Sequence, residues 1–212
     1  MIFFLDLFGT FIFALSGAFR AVKYELDILG VIILSSITGV GGGIIRDLLL
    51  GNYPPNCIRN EYYIAICIFS GLMVFFFAEK LAKQWRKIII SDALGLGVFT
   101  YIGALTAYTH ELGPISIIIM ATLTATGGGI LRDILVSEIP AVLKSGFYAT
   151  ASISGAVVFI VLTKSDLLNN QVIAVVTVVI TTSLRLYAMN KKTELPKVKK
   201  LPDSPSNLSK KS

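Results

Sequence analysis

The sequence predicts an all-α polytopic membrane protein: seven transmembrane helices, arranged as two inverted three-helix repeats plus a seventh helix. Three observations predict it. Of 212 residues, 54% are hydrophobic and 15% charged, with a mean hydropathy of +0.76; a soluble domain carries roughly 25% charged residues. Seven apolar stretches approach the about 20 residues that a spanning helix needs. The chain also matches itself at a single offset of 86 residues.

The spans fall at roughly 2–22, 28–50, 61–79, 90–109, 114–136, 145–163 and 170–189. Each is too long and too uniformly apolar for an alternating barrel strand. The first lacks a basic n-region and carries Asp6, so it reads as a retained helix rather than a signal peptide. The third contains Cys67 and follows a loop holding Cys57. Two such thiols provide neither a disulfide framework nor a metal spacing. The one histidine, His110, ends the fourth span. A single histidine excludes a His cluster and a Ser/His/Asp triad.

At the 86-residue offset Asp6 falls on Asp92, Gly9 on Gly95, Gly17 on Gly103, Glu25-Leu26 on Glu111-Leu112 and Thr38 on Thr124. Gly41, Gly42 and Gly43 fall on Gly127, Gly128 and Gly129; Arg46-Asp47 on Arg132-Asp133; Pro54 on Pro140; Tyr62 on Tyr148. The units are 1–86 and 87–168, then a seventh helix at 169–189 and a tail at 190–212. Three helices per repeat is an odd number, so the second copy starts on the opposite side of the membrane, an architecture associated with broken helices and a midplane site.

Three consecutive glycines weaken a helix, since each costs about 0.8–1 kcal/mol against alanine in a soluble helix. Two readings follow. The segments unwind and turn carbonyls toward a wet path, with hydroxyls from Ser36, Thr38, Thr122, Thr124 and Thr126. Alternatively the glycines serve close helix packing, as the GxxxG of Gly39 and Gly43 suggests. Arg46 and Arg132 lie inside their spans, where charges face the interior and pair. Their partners are Asp47 and Asp133 in sequence and Asp6 and Asp92 across their repeats. Four carboxylates against two arginines favour cations at two mouths; the same groups also serve as ion pairs that pin the helices.

Outside the spans, one side of the membrane collects 15 of the 19 Lys and Arg residues, Arg185 included, and the other side two. The positive-inside rule puts the N-terminus outside and the C-terminus in the cytoplasm. The excess reads as orientation and contact with anionic headgroups, not nucleic-acid binding. The tail, charged and Pro/Ser-containing, is expected to be disordered. Neither a dinucleotide fingerprint nor a P-loop is present.

Paired three-helix repeats, a seventh helix and GGGxxRD in the second and fifth helices resemble the prokaryotic trimeric intracellular cation (TRIC) channels, also described as a glycine transporter domain family. The resemblance covers about residues 3–188. It implies a homotrimer with one hourglass pore per subunit, kinks at the two glycine triplets, and passive conduction of monovalent cations, mainly K⁺, with Na⁺ the other candidate. It implies no cofactor beyond the permeant ion, and the plasma (inner) membrane of a prokaryote. Animal members carry Lys-Glu-Val in the second helix; this chain does not. A TVGYG filter is absent too, so modest selectivity among monovalent cations is expected. The competing functions are a secondary transporter of a small amino acid such as glycine and a membrane scaffold acting through its tail. An enzyme is disfavoured for want of a nucleophile–base pair.

Overall fold

The computed structural model describes residues 2–82, 85–144 and 147–191. Among these, every regular element is helical. They are α1 (Ile2–Lys23), α2 (Ile28–Leu49), the single-turn α3 (Asn56–Arg59), α4 (Tyr62–Ala82), α5 (Trp85–Thr109), α6 (Pro114–Leu135), the single-turn α7 (Ala141–Lys144), α8 (Ala149–Ser165) and α9 (Asn170–Lys191). Five are long and apolar enough to cross a membrane: α1, α2, α5 from Ile90, α6 and α9. The other two predicted spans correspond to shorter apolar helices. α4 is apolar over Tyr62–Phe77, its backbone departs from helical geometry at Phe77, and the side chains that follow lie outside the described residues. The sixth predicted span corresponds to α8, Ala149–Ser165, and its first two residues, 145 and 146, lie outside the described residues. Most of the predicted tail lies outside the described residues; Asn190 and Lys191 belong to α9.

The repeated Glu-Leu dipeptides are helix stops. At the end of α1, Glu25 is left-handed (φ 54°), and the Leu26 and Glu25 amides donate to the carbonyls of Ala21 and Val22. At the end of α5, Glu111 (φ 56°), Leu112, Ala107 and Tyr108 make the same bonds. This is the Schellman termination. Gly51 ends α2 and Ser137 ends α6 in the same way, also 86 residues apart. Only one of these four positions is the glycine that the motif favours.

The match is not gapless. Up to Asn52 and Glu138 the equivalent hydrogen bonds are 86 residues apart. Beyond the loop, Pro55 and Pro140 head α3 and α7 with equivalent bonds, an offset of 85. The first half therefore has one extra residue at this loop. Tyr148 corresponds to Tyr63, not to Tyr62.

α1 packs on α2, α4 and α5; α2 on α4 and α6; α6 on α5 and α8; α9 on α5 and α8. Counterparts meet each other at the centre. Phe13 and Phe99 are 86 apart in sequence and their rings are 5.1 Å apart in space. A methyl group on Gly9 would press on Val98 and Phe99, and one on Gly95 on Phe13.

Candidate functional site

The glycine triplets lie where α2 crosses α6, and both helices continue through them. The expected unwinding is not what these residues do here. A Cβ on Gly42 would overlap the Thr124 carbonyl, and one on Gly128 would overlap the Thr38 carbonyl. Gly41 would press on Leu131 and Gly127 on Ile45, each at 2.8 Å. Removing Cβ atoms brings the two backbones together. In a low-dielectric core, intact helical hydrogen bonds are worth keeping.

Hydroxyls beside the crossing are spent within their own helices. Thr38 donates to Leu34, Thr122 to Ile118, Thr124 to Met120 and Thr126 to Thr122, at 2.6–2.8 Å. Thr38 and Thr124 are fully buried, against Gly17 and Gly103 respectively. Ser36 is only half-buried, whereas its neighbour Ser35, missed by the sequence reading, is buried and lies on the carbonyls of Ala14 and Cys67.

On either side of the crossing lies a small pocket, and the two have equivalent linings. The first is lined by Asp6, Val40, Gly43, Arg46, Asp47, Asn56, Cys57 and Tyr63. The second is lined by Thr126, Gly129, Ile130, Arg132, Asp133, Ala141, Val142 and Tyr148. Seven residues of the first have their counterparts in the second, at offsets of 86 and, after the loop, 85. The Arg-Asp pair does the same work in both. Arg46 Nε donates to Asp47 Oδ1 and Arg132 Nε to Asp133 Oδ1, each at 2.9 Å. The other oxygen of each aspartate accepts the first amide of the following short helix, Asn56 or Ala141, at 2.8 Å. Each aspartate thus ties its arginine to the loop that closes the pocket. A side chain-accepting bond at a helix start is favourable in itself.

The remaining partners differ. Arg132 also donates to Asp92, at 3.1 Å, and to Ser16 of α1, at 2.6 Å. Asp6 makes no such ion pair with Arg46; it accepts from the Tyr63 hydroxyl at 2.8 Å. Ser16 explains part of the difference, because its counterpart is Ile102, which has no hydroxyl to bridge with. Arg20 of α1 adds a bond to Asp133 at 3.2 Å and faces Glu138 at 3.6 Å; its counterpart is Thr106. Tyr24 donates to Glu138, and this bond holds the Glu138 carboxyl below its ordinary range and the phenol above its own. At the opposite end the counterparts are His110 and Asn52, 3.4 Å apart. Arg185, expected at the basic rim, is instead buried, its guanidinium 4.4 Å from the Tyr148 ring. The contacts of Ser16, Arg20 and Arg185 with this site were not legible in the sequence, because these residues lie outside the repeated pattern.

An all-helical bundle with long apolar helices and two equivalent buried-charge pockets across a glycine crossing defines a membrane protein of the TRIC channel fold. A TRIC cation channel chain solved to explain conductance superposes with a TM-score of 0.86 at 37% identity, covering 93% of this chain and 97% of that one. The TRIC orthologue of Rhodobacter sphaeroides superposes at 0.85, with 35% identity over 91% of this chain and 98% of that one. The family model described as "Glycine transporter" matches residues 3–79 and 89–164. A UPF0126 membrane protein of Deinococcus radiodurans is 41% identical over 72% of each chain. The UPF0126 inner membrane protein YadS of Escherichia coli K12 is 32% identical over 92% of this chain and 95% of its own. The chain belongs to this glycine transporter family, the prokaryotic branch of the TRIC channels.

Proposed function

We propose that the chain is a monovalent-cation channel, permeable to K⁺, whose path in each subunit runs from one pocket through the α2–α6 crossing to the other. The observation that carries this reading is the pair of equivalent charged pockets on opposite sides of one glycine crossing. The crossing is the narrow waist, and conduction requires α2 and α6 to part there. The reciprocal contacts, Gly42 on Thr124 and Gly128 on Thr38, are those of two halves related by a twofold axis. They support seven spans built as two inverted repeats and a last helix, with units near 1–86, 87–168 and 169–189. The lysine and arginine distribution supports an external N-terminus and a cytoplasmic C-terminus, in contact with anionic headgroups. The solved trimeric orthologue and the inner-membrane relative support a homotrimer in a prokaryotic plasma membrane.

The test is a planar bilayer holding the purified protein across a KCl gradient. Discrete currents that reverse near the K⁺ potential are expected. A silent bilayer combined with saturable uptake of labelled glycine into vesicles would overturn the channel in favour of alternating access.

A further inference from the structure

We infer that the two pockets are electrically unlike, and that Asp6 in the first is the residue that selects cations; this rests on the channel reading above. The first pocket is lined by one guanidinium, Arg46, and two carboxylates, Asp6 and Asp47. Asp47 is spent on Arg46 and on the Asn56 amide. Asp6, buried in the same pocket, takes a hydrogen bond from the Tyr63 hydroxyl and makes no ion pair within 4 Å among the described residues. One negative charge is left over there. Arg59 of α3 does not line this pocket; it is exposed and donates to the Tyr53 carbonyl.

The second pocket is lined by Arg132 and Asp133 alone among charged groups, and the charges around it are balanced by residues from beyond its own repeat. Asp92, the counterpart of Asp6, is drawn onto Arg132 and Ser16. Arg20 comes from α1 onto Asp133, and Arg185 comes from α9 onto Tyr148. Arg132 and Arg20 then pair with Asp92 and Asp133, Arg185 adds a third guanidinium over Tyr148, and Glu138 behind Arg20 restores balance. A twofold repeat by itself would make both mouths equally attractive to cations. The added groups of α1 and α9 cancel the attraction at one mouth only. A carboxylate in a low-dielectric pocket focuses its field and concentrates counter-ions locally. Selection of cation over anion therefore falls to the first pocket, and currents should be unequal in the two directions when salt is too dilute to screen it.

Two bilayer measurements test this on the full chain. Asp6→Asn keeps the shape of the side chain and removes its charge; it is expected to lower the K⁺/Cl⁻ permeability ratio about tenfold. Arg20→Gln leaves the second mouth more negative and is expected to raise that ratio. For the unaltered protein, the ratio of currents at opposite voltages is expected to depart from one in about 0.02 M KCl and to approach one in about 1 M KCl, where the screening length falls to about 3 Å. This second measurement decides even where Asp6→Asn fails to fold. Symmetric currents in dilute salt, or a conducting Asp6→Asn channel of unchanged permeability ratio, would overturn the assignment while leaving the channel in place. An unaltered protein without currents would sink the channel reading and this one with it.

Discussion

Replacing Gly42 or Gly128 by alanine is expected to cost more than about 3 kcal/mol, beyond the usual 1–3 kcal/mol of an overpacked core. The added methyl would meet a backbone carbonyl, Thr124 or Thr38, in each case. No rotamer relieves such a contact, so α2 and α6 must separate. In a thermal melt of detergent-solubilised protein, about 3 kcal/mol corresponds to roughly 6–12 °C for a chain of this size. Gly43→Ala supplies the contrast within one triplet. Its nearest neighbour would be an Arg46 guanidinium nitrogen at 3.8 Å, ordinary contact distance. There the gain in helix propensity, up to about 1 kcal/mol, should leave the melting temperature unchanged or raised. Equal losses at Gly42 and Gly43 would mean that the glycines act through helix weakness and not through the crossing.

That contrast also marks what the sequence could reveal. The repeat and the pairing of each arginine with the next aspartate were legible, because rare charges and glycines recurring in apolar helices leave a clear pattern. Whether a glycine triplet unwinds or packs was not legible: the missing Cβ permits both, and only the facing backbone decides. The one-residue slip in the loop was hidden by two adjacent tyrosines. Tyr62 is exposed, whereas Tyr63 meets Asp6, and the constant offset of 86 picked Tyr62 as the partner of Tyr148. Ser16 was hidden for the opposite reason. Searching for what recurs discards a serine whose counterpart is isoleucine, yet that serine is buried between Arg132 and Asp92.

Asp47→Ala is expected to be the most damaging charge removal, at about 3–5 kcal/mol, the usual cost of stranding one member of a buried pair. It takes from Arg46 its only ion pair within 4 Å among the described residues, and from Asn56 the acceptor of its amide. Asp133→Ala removes the equivalent groups, but Arg132 keeps Asp92 and Ser16, and Arg20 keeps Glu138. Its cost should resemble that of lost hydrogen bonds to charged groups, about 1.5–3 kcal/mol. Chemical denaturation in mixed micelles measures both, and a larger loss at Asp133 would contradict the redundancy assigned to the second pocket. A double replacement, Arg46→Met with Asp47→Leu, separates the two roles of the pair. Apolar groups of similar size often replace a buried ion pair without loss of stability. If the double variant melts like the original yet carries no current, the pair does not exist to pin helices. Its charges are then retained, at a desolvation cost, for the ions that pass them.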